Sequence, residues 1–295
     1  GKSRSSAIVT DSFEQLAQTQ LDMLFVIDNS CSMEDEQEKL KTNIHSFIST
    51  LVTLDIDFQL AVTTTDVELE AGKFVGTPKI INTTSITQAV NDFAKNATLG
   101  SSGSGYEQGL EAAYLALSAP LINNENKGFL RPDANLGVVF VTDEEDSSPQ
   151  PVTFYSNFFQ SIKGWQNASK VSASAMLFHT NQIPGYPACT RSFGGVETFG
   201  TRYEAVVNNL NGIIYPLCTD WYNALSSFAQ TAAGYHTRFF LSSQPDPSTI
   251  VIEVNNIAVG SHYYEYDPNS NSINFKPMAV PPFGAVILVT YNVGC

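Results

Sequence analysis

The stretch Leu21–Asp28, which reads LDMLFVID, is a short and almost continuous apolar run that ends in a carboxylate. A run of this length and composition is typical of a strand that is buried on both faces of a parallel sheet. Four further runs have the same character: Phe58–Val62, Leu136–Val141, Ser172–Phe178 and Ile213–Leu217. The sequence therefore predicts five parallel strands.

Stretches with a helical spacing of apolar residues lie between these runs. In Glu34–Leu51, for example, Leu40, Ile44 and Phe47 recur at intervals of three or four residues. The other helical stretches are Glu107–Leu117, Phe154–Ile162, Arg202–Leu210 and Trp221–Ala229. Strands that alternate with helices predict an α/β fold with a doubly wound, mostly parallel, Rossmann-like sheet that is covered on both faces. We also expect an antiparallel edge strand near Lys73–Val75.

After about Gly234 the helical period gives way to short β-rich runs that are separated by turn residues. These runs are Thr249–Val254, Tyr263–Tyr266, Ser272–Phe275 and Ala285–Tyr291. They predict a small antiparallel β-sandwich, to which Ala7–Thr10 would add a strand. The expected organisation is an N-terminal segment of residues 1–20 that pairs with the β-domain, an inserted α/β domain of residues 21–234, and a β-sandwich of residues 235–295.

The composition favours a protein of an extracytoplasmic compartment. The chain has 295 residues, with 15 Lys and Arg against 29 Asp and Glu, which gives a net charge of −14. This excess of negative charge argues against a nucleic-acid partner. Charged residues make up only 15% of the chain, compared with about a quarter in ordinary globular proteins. No apolar run reaches the roughly 18 residues of a membrane span, and the polar start at Gly1 is expected of a mature or trimmed chain.

Oxygen-bearing side chains follow the predicted strands at the edge where ligand sites form in open α/β sheets. Asp28, Ser30 and Ser32 come directly after the first strand, and Asp143 follows the strand Leu136–Val141. Ser104 lies in a Gly/Ser-rich loop that precedes a helix. Hydroxyls and carboxylates without a His or Cys cluster suit a hard divalent cation such as Mg²⁺ or Ca²⁺.

Three segments together resemble the von Willebrand factor A domains, the family that includes integrin I domains. They are Asp28–Met33 (DNSCSM), Gly103–Leu110 (GSGYEQGL) and Val141–Asp146 (VTDEED), and they are also similar to those of a bacterial subgroup of exported, often lipid-anchored A-domain proteins. The resemblance covers about residues 21–234. It implies a metal-ion-dependent adhesion site in which Ser104 stands where the family has a Thr.

The resemblance also implies how such a site would work. Ser30, Ser32 and Ser104 would contact Mg²⁺ (or Mn²⁺ or Ca²⁺) directly, while Asp28 and Asp143 would act through waters. The open position would take an Asp or Glu carboxylate of a protein partner. The family further implies a cell-surface, outer-membrane-associated or periplasmic location, with a lipid anchor upstream of this chain. The structural alternative is that the serines are helix N-caps and the aspartates ordinary loop residues.

Enzymatic functions find less support in the sequence. The four histidines are isolated, and neither a nucleophile elbow nor a dinucleotide-binding loop is complete. We therefore expect a binding protein rather than an enzyme. A hydrolase that uses the same cation, with Asp28 and Asp143, is the second hypothesis, and a structural envelope subunit with a non-binding A domain is the third. Glu144, Glu145 and Asp146 are interpreted as a solvated acidic rim, with an auxiliary Ca²⁺ site as the alternative.

The four cysteines include no Cys-x-x-Cys pair of the kind that binds metals. Cys189 follows one predicted parallel strand and Cys218 ends the next, so both are expected at the same edge of the sheet. We predict a Cys189–Cys218 disulfide, which would close a loop of about 30 residues and contribute about 3.6 kcal/mol in the chain-entropy model. Such a bond implies an oxidising compartment. The pairing of Cys31 and Cys295 is left open.

Overall fold

The structure is a computed structural model that describes residues 7–15, 19–82, 85–178, 192–193, 196–197, 199–210, 212–276 and 279–293. The strands are β1 (Ile8–Glu14), β2 (Gln20–Ile27), β3 (Asp57–Thr64), β4 (Asn135–Val141), β5 (Val171–Leu177), β6 (Ser192–Phe193), β7 (Val196–Glu197), β8 (Ile214–Pro216), β9 (Arg238–Phe240), β10 (Val251–Val254), β11 (Ile257–Ala258), β12 (Tyr264–Asp267), β13 (Ser272–Phe275) and β14 (Val286–Asn292). The α-helices are α1 (Glu34–Thr53), α2 (Ile86–Asn96), α3 (Gly109–Leu117), α4 (Val152–Ser161), α5 (Thr201–Asn209) and α6 (Trp221–Ala232). Short 3₁₀ turns cover Cys31–Met33, Leu121–Asn123, Trp165–Lys170, Pro247–Thr249 and Ser261–Tyr263. None of the helices in these ranges is long and apolar enough to cross a membrane.

The chain divides into two compact units, one of Gln18–Ala233 and one of Gly1–Ala17 with Gly234–Cys295. The larger unit contains a five-stranded sheet in the order β3-β2-β4-β5-β8, and all its strand pairs are parallel. On one face, Leu24 and Val26 belong to the same buried cluster as apolar residues of α3, α4 and α5. On the other face, the Phe25 ring lies 5.3 Å from that of Phe47 in α1 and 4.8 Å from that of Phe93 in α2. The predicted α/β class, with a parallel sheet flanked by helices, is confirmed.

The order of the strands reverses between β2 and β4, because β3 lies on the far side of β2 while β5 and β8 extend beyond β4. The carboxyl ends of strands at such a reversal form the crevice in which open α/β sheets bind ligands. Ile27 and Val141 are register partners at the ends of the two strands, and the Asp28 N–H donates to the Val141 carbonyl at 2.9 Å. The segments after Ile27 and Val141 therefore start side by side.

The antiparallel edge strand predicted near Lys73–Val75 is wrong. The structure has no strand there, although the Val75 N–H donates to the Val62 carbonyl of β3 at 2.9 Å. The physical reason is local: Gly72 and Gly76 flank the segment with positive φ angles of 81° and 85°, so the chain turns away before a ladder can form.

The smaller unit consists of two antiparallel sheets, in the orders β1-β14-β10-β11 and β12-β13-β9. β1 pairs with β14 along its whole length, from Ile8 opposite Asn292 to Glu14 opposite Val286. A buried cluster with Phe239, Ile252 and Ile273 among its members joins the two sheets. The antiparallel sheets predicted after Gly234 are confirmed as part of the fold class, and the chain enters the larger unit after β1 and leaves it before β9.

Candidate metal site at the carboxyl end of the parallel sheet

Asp28 is the first residue after β2 and is completely buried. Its Oδ1 accepts the Ser30 N–H at 2.8 Å, and its Oδ2 accepts the Thr142 hydroxyl at 2.7 Å. The first of these bonds makes a tight turn of the kind that Asp favours, and it directs the chain into the 3₁₀ turn that precedes α1. Asp28 thus ties the end of β2 to the segment after β4.

The side chains of Ser30, Ser32 and Asp143 form a chain of hydrogen bonds next to Asp28. The Ser30 and Ser32 hydroxyl oxygens are 3.1 Å apart, and the Ser32 hydroxyl donates to Asp143 Oδ1 at 3.0 Å. Ser30 stands at the N-cap of the 3₁₀ turn, yet its side chain caps no backbone amide. Its hydroxyl is therefore directed at Ser32 rather than used as a helix cap. Four of the five predicted ligands lie together.

Ser104 lies close by, but its side chain has a different environment. The preceding Gly103 donates its N–H to the Asn29 carbonyl at 3.0 Å, which docks the Gly/Ser loop on the turn after Asp28. The Ser104 N–H donates to Asp66 Oδ2 at 3.0 Å, and its hydroxyl accepts the Tyr106 N–H at 3.0 Å. These contacts hold the loop in place and occupy the Ser104 hydroxyl locally, rather than joining it to the other four side chains.

Glu107 is a buried carboxylate at the site that the sequence analysis did not single out. Its exposure is 1%, its Oε2 accepts the Thr65 hydroxyl, and its Oε1 has no hydrogen-bond partner among the described residues. Burial raises the pKa of Glu107 to about 9, and the neighbouring Asp28 carboxylate contributes to the rise. The segment GSGYEQGL contained this signal, because a Glu two residues before a helix, on a loop that forms the site, is a candidate ligand.

The charge at the site is concentrated and negative. Burial raises the pKa of Asp28, and the Asp143 carboxylate acts in the same direction, although hydrogen bonds from Ser30 and Thr142 oppose it. Burial, followed by the charges of Asp28 and Asp143, raises the pKa of Glu144 to about 6. Neighbouring carboxylates repel one another, and this repulsion is reduced when a proton or a cation binds between them.

Glu145 and Asp146 have structural roles, so the interpretation of both as a solvated rim is wrong. The Glu145 carboxylate accepts the Thr201 and Arg202 N–H groups, both at 3.0 Å, and so caps the first turn of α5. Asp146 is 3% exposed, pairs with Arg202 Nε at 2.9 Å, and accepts the Leu110 N–H at 3.1 Å. Each carboxylate caps the first turn of a helix, Glu145 at α5 and Asp146 at α3, and these contacts hold both side chains against the protein.

The residues present fit a hard cation. Within the described part of the chain, no three carboxylate, imidazole or thiol side chains converge closely enough to hold a metal ion by themselves. The donor set at the sheet reversal instead combines the hydroxyls of Ser30 and Ser32 with the buried carboxylates of Asp28 and Asp143. Oxygen donors of this kind suit Mg²⁺, Mn²⁺ or Ca²⁺.

The predicted Cys189–Cys218 disulfide involves a residue that lies outside the described ranges, because Cys189 falls between residues 179 and 191. The pairing therefore stays a prediction. Cys31, by contrast, is a free and exposed cysteine between Ser30 and Ser32. Cys295 also lies outside the described residues.

No protein-family model matches the sequence, and no curated protein matches it. Among solved structures, the chain is similar to proximal thread matrix protein 1 from the mussel byssus, with 12% identity over 78% of this chain and 51% of that chain and a TM-score of 0.41. A structure of the same byssus protein with a zinc-occupied MIDAS motif has 11% identity over the same shares, with a TM-score of 0.41. The pilus adhesin SpaC from Lactobacillus rhamnosus GG, in its open conformation, has 10% identity over 98% of this chain and 41% of that chain, with a TM-score of 0.44. The chain thus spans about half or less of the length of these proteins.

Proposed function

We propose that the chain is a binding module that uses a divalent cation to capture a carboxylate of a protein partner. The observation that carries the proposal is the group of Asp28, Ser30, Ser32 and Asp143, which meets where the strand order reverses. Burial raises the pKa of Asp28, and the neighbouring Asp143 carboxylate acts in the same direction. Ser104, the fifth predicted ligand, lies on the adjacent docked Gly/Ser loop, where its hydroxyl accepts the Tyr106 N–H.

Each side chain has a distinct role in the proposed mechanism. Ser30 and Ser32 present neutral oxygens, and their hydrogen bonds fix the orientation of both hydroxyls. Asp28 and Asp143 accept hydrogen bonds from Ser30 and Ser32 and so keep both serines in position. The two carboxylates also supply the negative charge that attracts a cation. The cation, when bound, supplies an open position for an anionic oxygen. Without it, an acidic partner approaching this edge meets Asp28, Asp143 and Glu144 and is repelled.

The proposed setting is extracytoplasmic, at the cell surface, on the outer membrane or in the periplasm of a bacterium. The low proportion of charged residues supports this setting. A lipid anchor upstream of this chain, and the Cys189–Cys218 disulfide, belong to the same proposal. The alternatives are a hydrolase that uses the same cation and an envelope subunit that does not use the site.

The cation site is tested by calorimetric titration of Mg²⁺, Mn²⁺ and Ca²⁺ into chelator-treated protein. We expect Asp28→Ala and Asp143→Ala to abolish cation binding while circular dichroism stays unchanged. The matched control is Asp133→Ala, which removes an exposed carboxylate just before β4, at the opposite end of the sheet. If Asp28→Ala bound the cation with unchanged affinity, the cation site would have to lie elsewhere in the molecule.

The partner chemistry is tested with arrayed peptide pairs that differ only in Asp against Asn or Glu against Gln. Binding is expected to require Mg²⁺ or Mn²⁺, to disappear with chelator, and to be confined to the acidic member of each pair. Cation-dependent turnover of ester substrates would favour the hydrolase instead. Binding that survives chelation would leave the site without a role in capture.

A further inference from the structure

Glu107 is held at the site from three directions. Its own carbonyl accepts the Ser147 N–H at 2.6 Å, and the next residue, Gln108, donates its N–H to the Thr65 carbonyl at 3.1 Å. The Thr65 hydroxyl fixes Oε2 of the side chain. The carboxylate is therefore anchored in one orientation before any ligand binds.

Among the residues that the structure describes, none forms a hydrogen bond with Glu107 Oε1, although burial of an unpartnered carboxylate oxygen is costly. Among ionisable groups, Asp28 has the strongest charge interaction with Glu107 and is itself completely buried, and Glu144 is a third acidic group nearby. Two carboxylates that face each other without a donor between them are a stable arrangement only if a proton or a cation lies between them. Asp28 also accepts the Ser30 N–H, and the Ser30 hydroxyl contacts that of Ser32. The position between the two carboxylates is therefore next to the serine hydroxyls of the proposed site.

We propose that Glu107 is a direct carboxylate ligand of the divalent cation, a role that rests on the proposed function and extends it. Glu107 then supplies from the Gly/Ser segment the oxygen that the Ser104 hydroxyl, engaged with Tyr106, does not supply. Its negative charge strengthens the hold on the cation. It also quenches part of the cation's charge, so the cation attracts a partner carboxylate less strongly than a cation held by hydroxyls alone.

The test compares Glu107→Gln with Ser104→Ala and Asp28→Ala. The Gln side chain has the same shape, still accepts from Thr65, and can donate its amide to Asp28. We therefore expect Glu107→Gln to lower Mn²⁺ affinity at least tenfold in calorimetry, while the melting temperature in chelator stays the same or rises. Ser104→Ala is expected to lower the affinity less than threefold.

A second measurement does not depend on affinity. Bound Eu³⁺, used as a probe in place of the divalent cation, reports the number of its water ligands through luminescence lifetimes in H₂O and D₂O. Loss of a direct ligand adds a water, so we expect Glu107→Gln to show about one more bound water than the wild type. Glu107→Asp keeps the charge but withdraws the carboxylate, and we expect the same gain of water with a smaller loss of affinity.

The outcomes separate this inference from the proposed function. If Asp28→Ala abolishes cation binding while Glu107→Gln binds normally with no extra water, the site stands and the role of Glu107 is overturned. A lower melting temperature of Glu107→Gln in chelator, with a normal cation-induced shift, would likewise assign Glu107 a purely structural role. If Asp28→Ala binds cations like the wild type, the proposed function itself fails.

Discussion

Two buried aspartates near opposite ends of β2 have neighbours of opposite charge. Asp22, near the start of β2, is fully buried, and its carboxylate accepts the Arg131 backbone N–H and Nε–H, both at 2.7 Å, while Lys163 Nζ lies 3.8 Å away. Asp28, just after the end of β2, is equally buried but has hydroxyls and further carboxylates as neighbours.

The fold neutralises the buried charge of Asp22 with basic side chains, but it places further carboxylates next to Asp28. Burial raises the pKa of Asp22, and Arg131 and Lys163 act to lower it. At Asp28, the nearby Asp143 charge adds to the effect of burial instead. The two aspartates are six residues apart, about 20 Å along a strand, so the Coulomb attraction between the basic cluster and Asp28 is weak, and the charges of Arg131 and Lys163 are already compensated by Asp22. The basic cluster therefore cannot stabilise Asp28, and the excess charge there is available to a cation.

The largest expected effect is on stability, near the start of β2, where Arg131 and Lys163 neutralise Asp22. Arg131→Met leaves Asp22 without its main partner, and we expect it to lower the free energy of unfolding by about 3 kcal/mol. Cation affinity should stay unchanged, because the substitution is at the far end of the strand. Denaturant titration measures the free energy of unfolding, and calorimetry measures the cation affinity. Arg238→Met, which removes an exposed arginine that bonds Asn274, is the control; equal losses in both variants would contradict the comparison.

The second prediction concerns pH at the charged end. The pKa of Glu107 is about 9 in the fold, against 4.5 for an ordinary Glu, so the folded protein keeps a proton that the unfolded chain releases. Stability in chelator should therefore fall as pH rises through this window, by about 3 kcal/mol between pH 6 and pH 8. Thermal unfolding across this range checks the sign. A stability that rises over the same range, or an identical slope in Glu107→Gln, would contradict the assignment.

The third prediction sharpens the contrast by removing charge from Asp28 while keeping its shape. Asp28→Asn can still accept the Ser30 N–H with its amide oxygen and can donate its amide to the Thr142 hydroxyl, and it removes the negative charge beside Asp143. We expect the cation-free protein to gain about 1 kcal/mol in unfolding free energy while cation binding is lost, as functional sites often sacrifice stability. The equivalent change Asp22→Asn should destabilise, and a loss of stability in both variants would remove the distinction between the two ends.

The smallest effect is expected at Cys31, the free cysteine between the two serines. Its side chain is exposed, so Cys31→Ser should change the unfolding free energy by less than about 0.5 kcal/mol. Cation affinity should also be unchanged in titrations of wild type and variant side by side. A clear drop in affinity would make this position a further part of the site.

The elements that the sequence predicted best were those with strong periodic patterns. The apolar run Leu21–Asp28 could hardly be anything but a central strand, and β13 has the predicted bounds Ser272–Phe275. The edge near Lys73–Val75 failed because two glycines with positive φ override the β propensity of the short run between them. A pattern of apolar residues does not report such backbone turns.

The candidate site was predictable in part for a similar reason. Asp28 and Asp143 follow neighbouring strands, and strand order alone brings them to one edge. Which side chain of a loop turns inward depends on contacts far along the chain, such as those of Thr65 with Glu107 and of Tyr106 with Ser104. Glu107 was missed because its partner comes from another loop, 42 residues away in sequence.

The ladder between β1 and β14 has a mechanical consequence. Because the strands are antiparallel, Ile8 and Asn292 are partners at one end of seven pairs. A force applied across the two ends of this chain would peel the ladder open one pair at a time rather than shear all pairs at once. Such unzipping proceeds at low force, and the larger unit, which lies between β1 and β9 in the sequence, carries no tension until the last pair, Glu14 with Val286, has separated. The ladder would thus open first under load and protect the unit that contains Asp28 from unfolding.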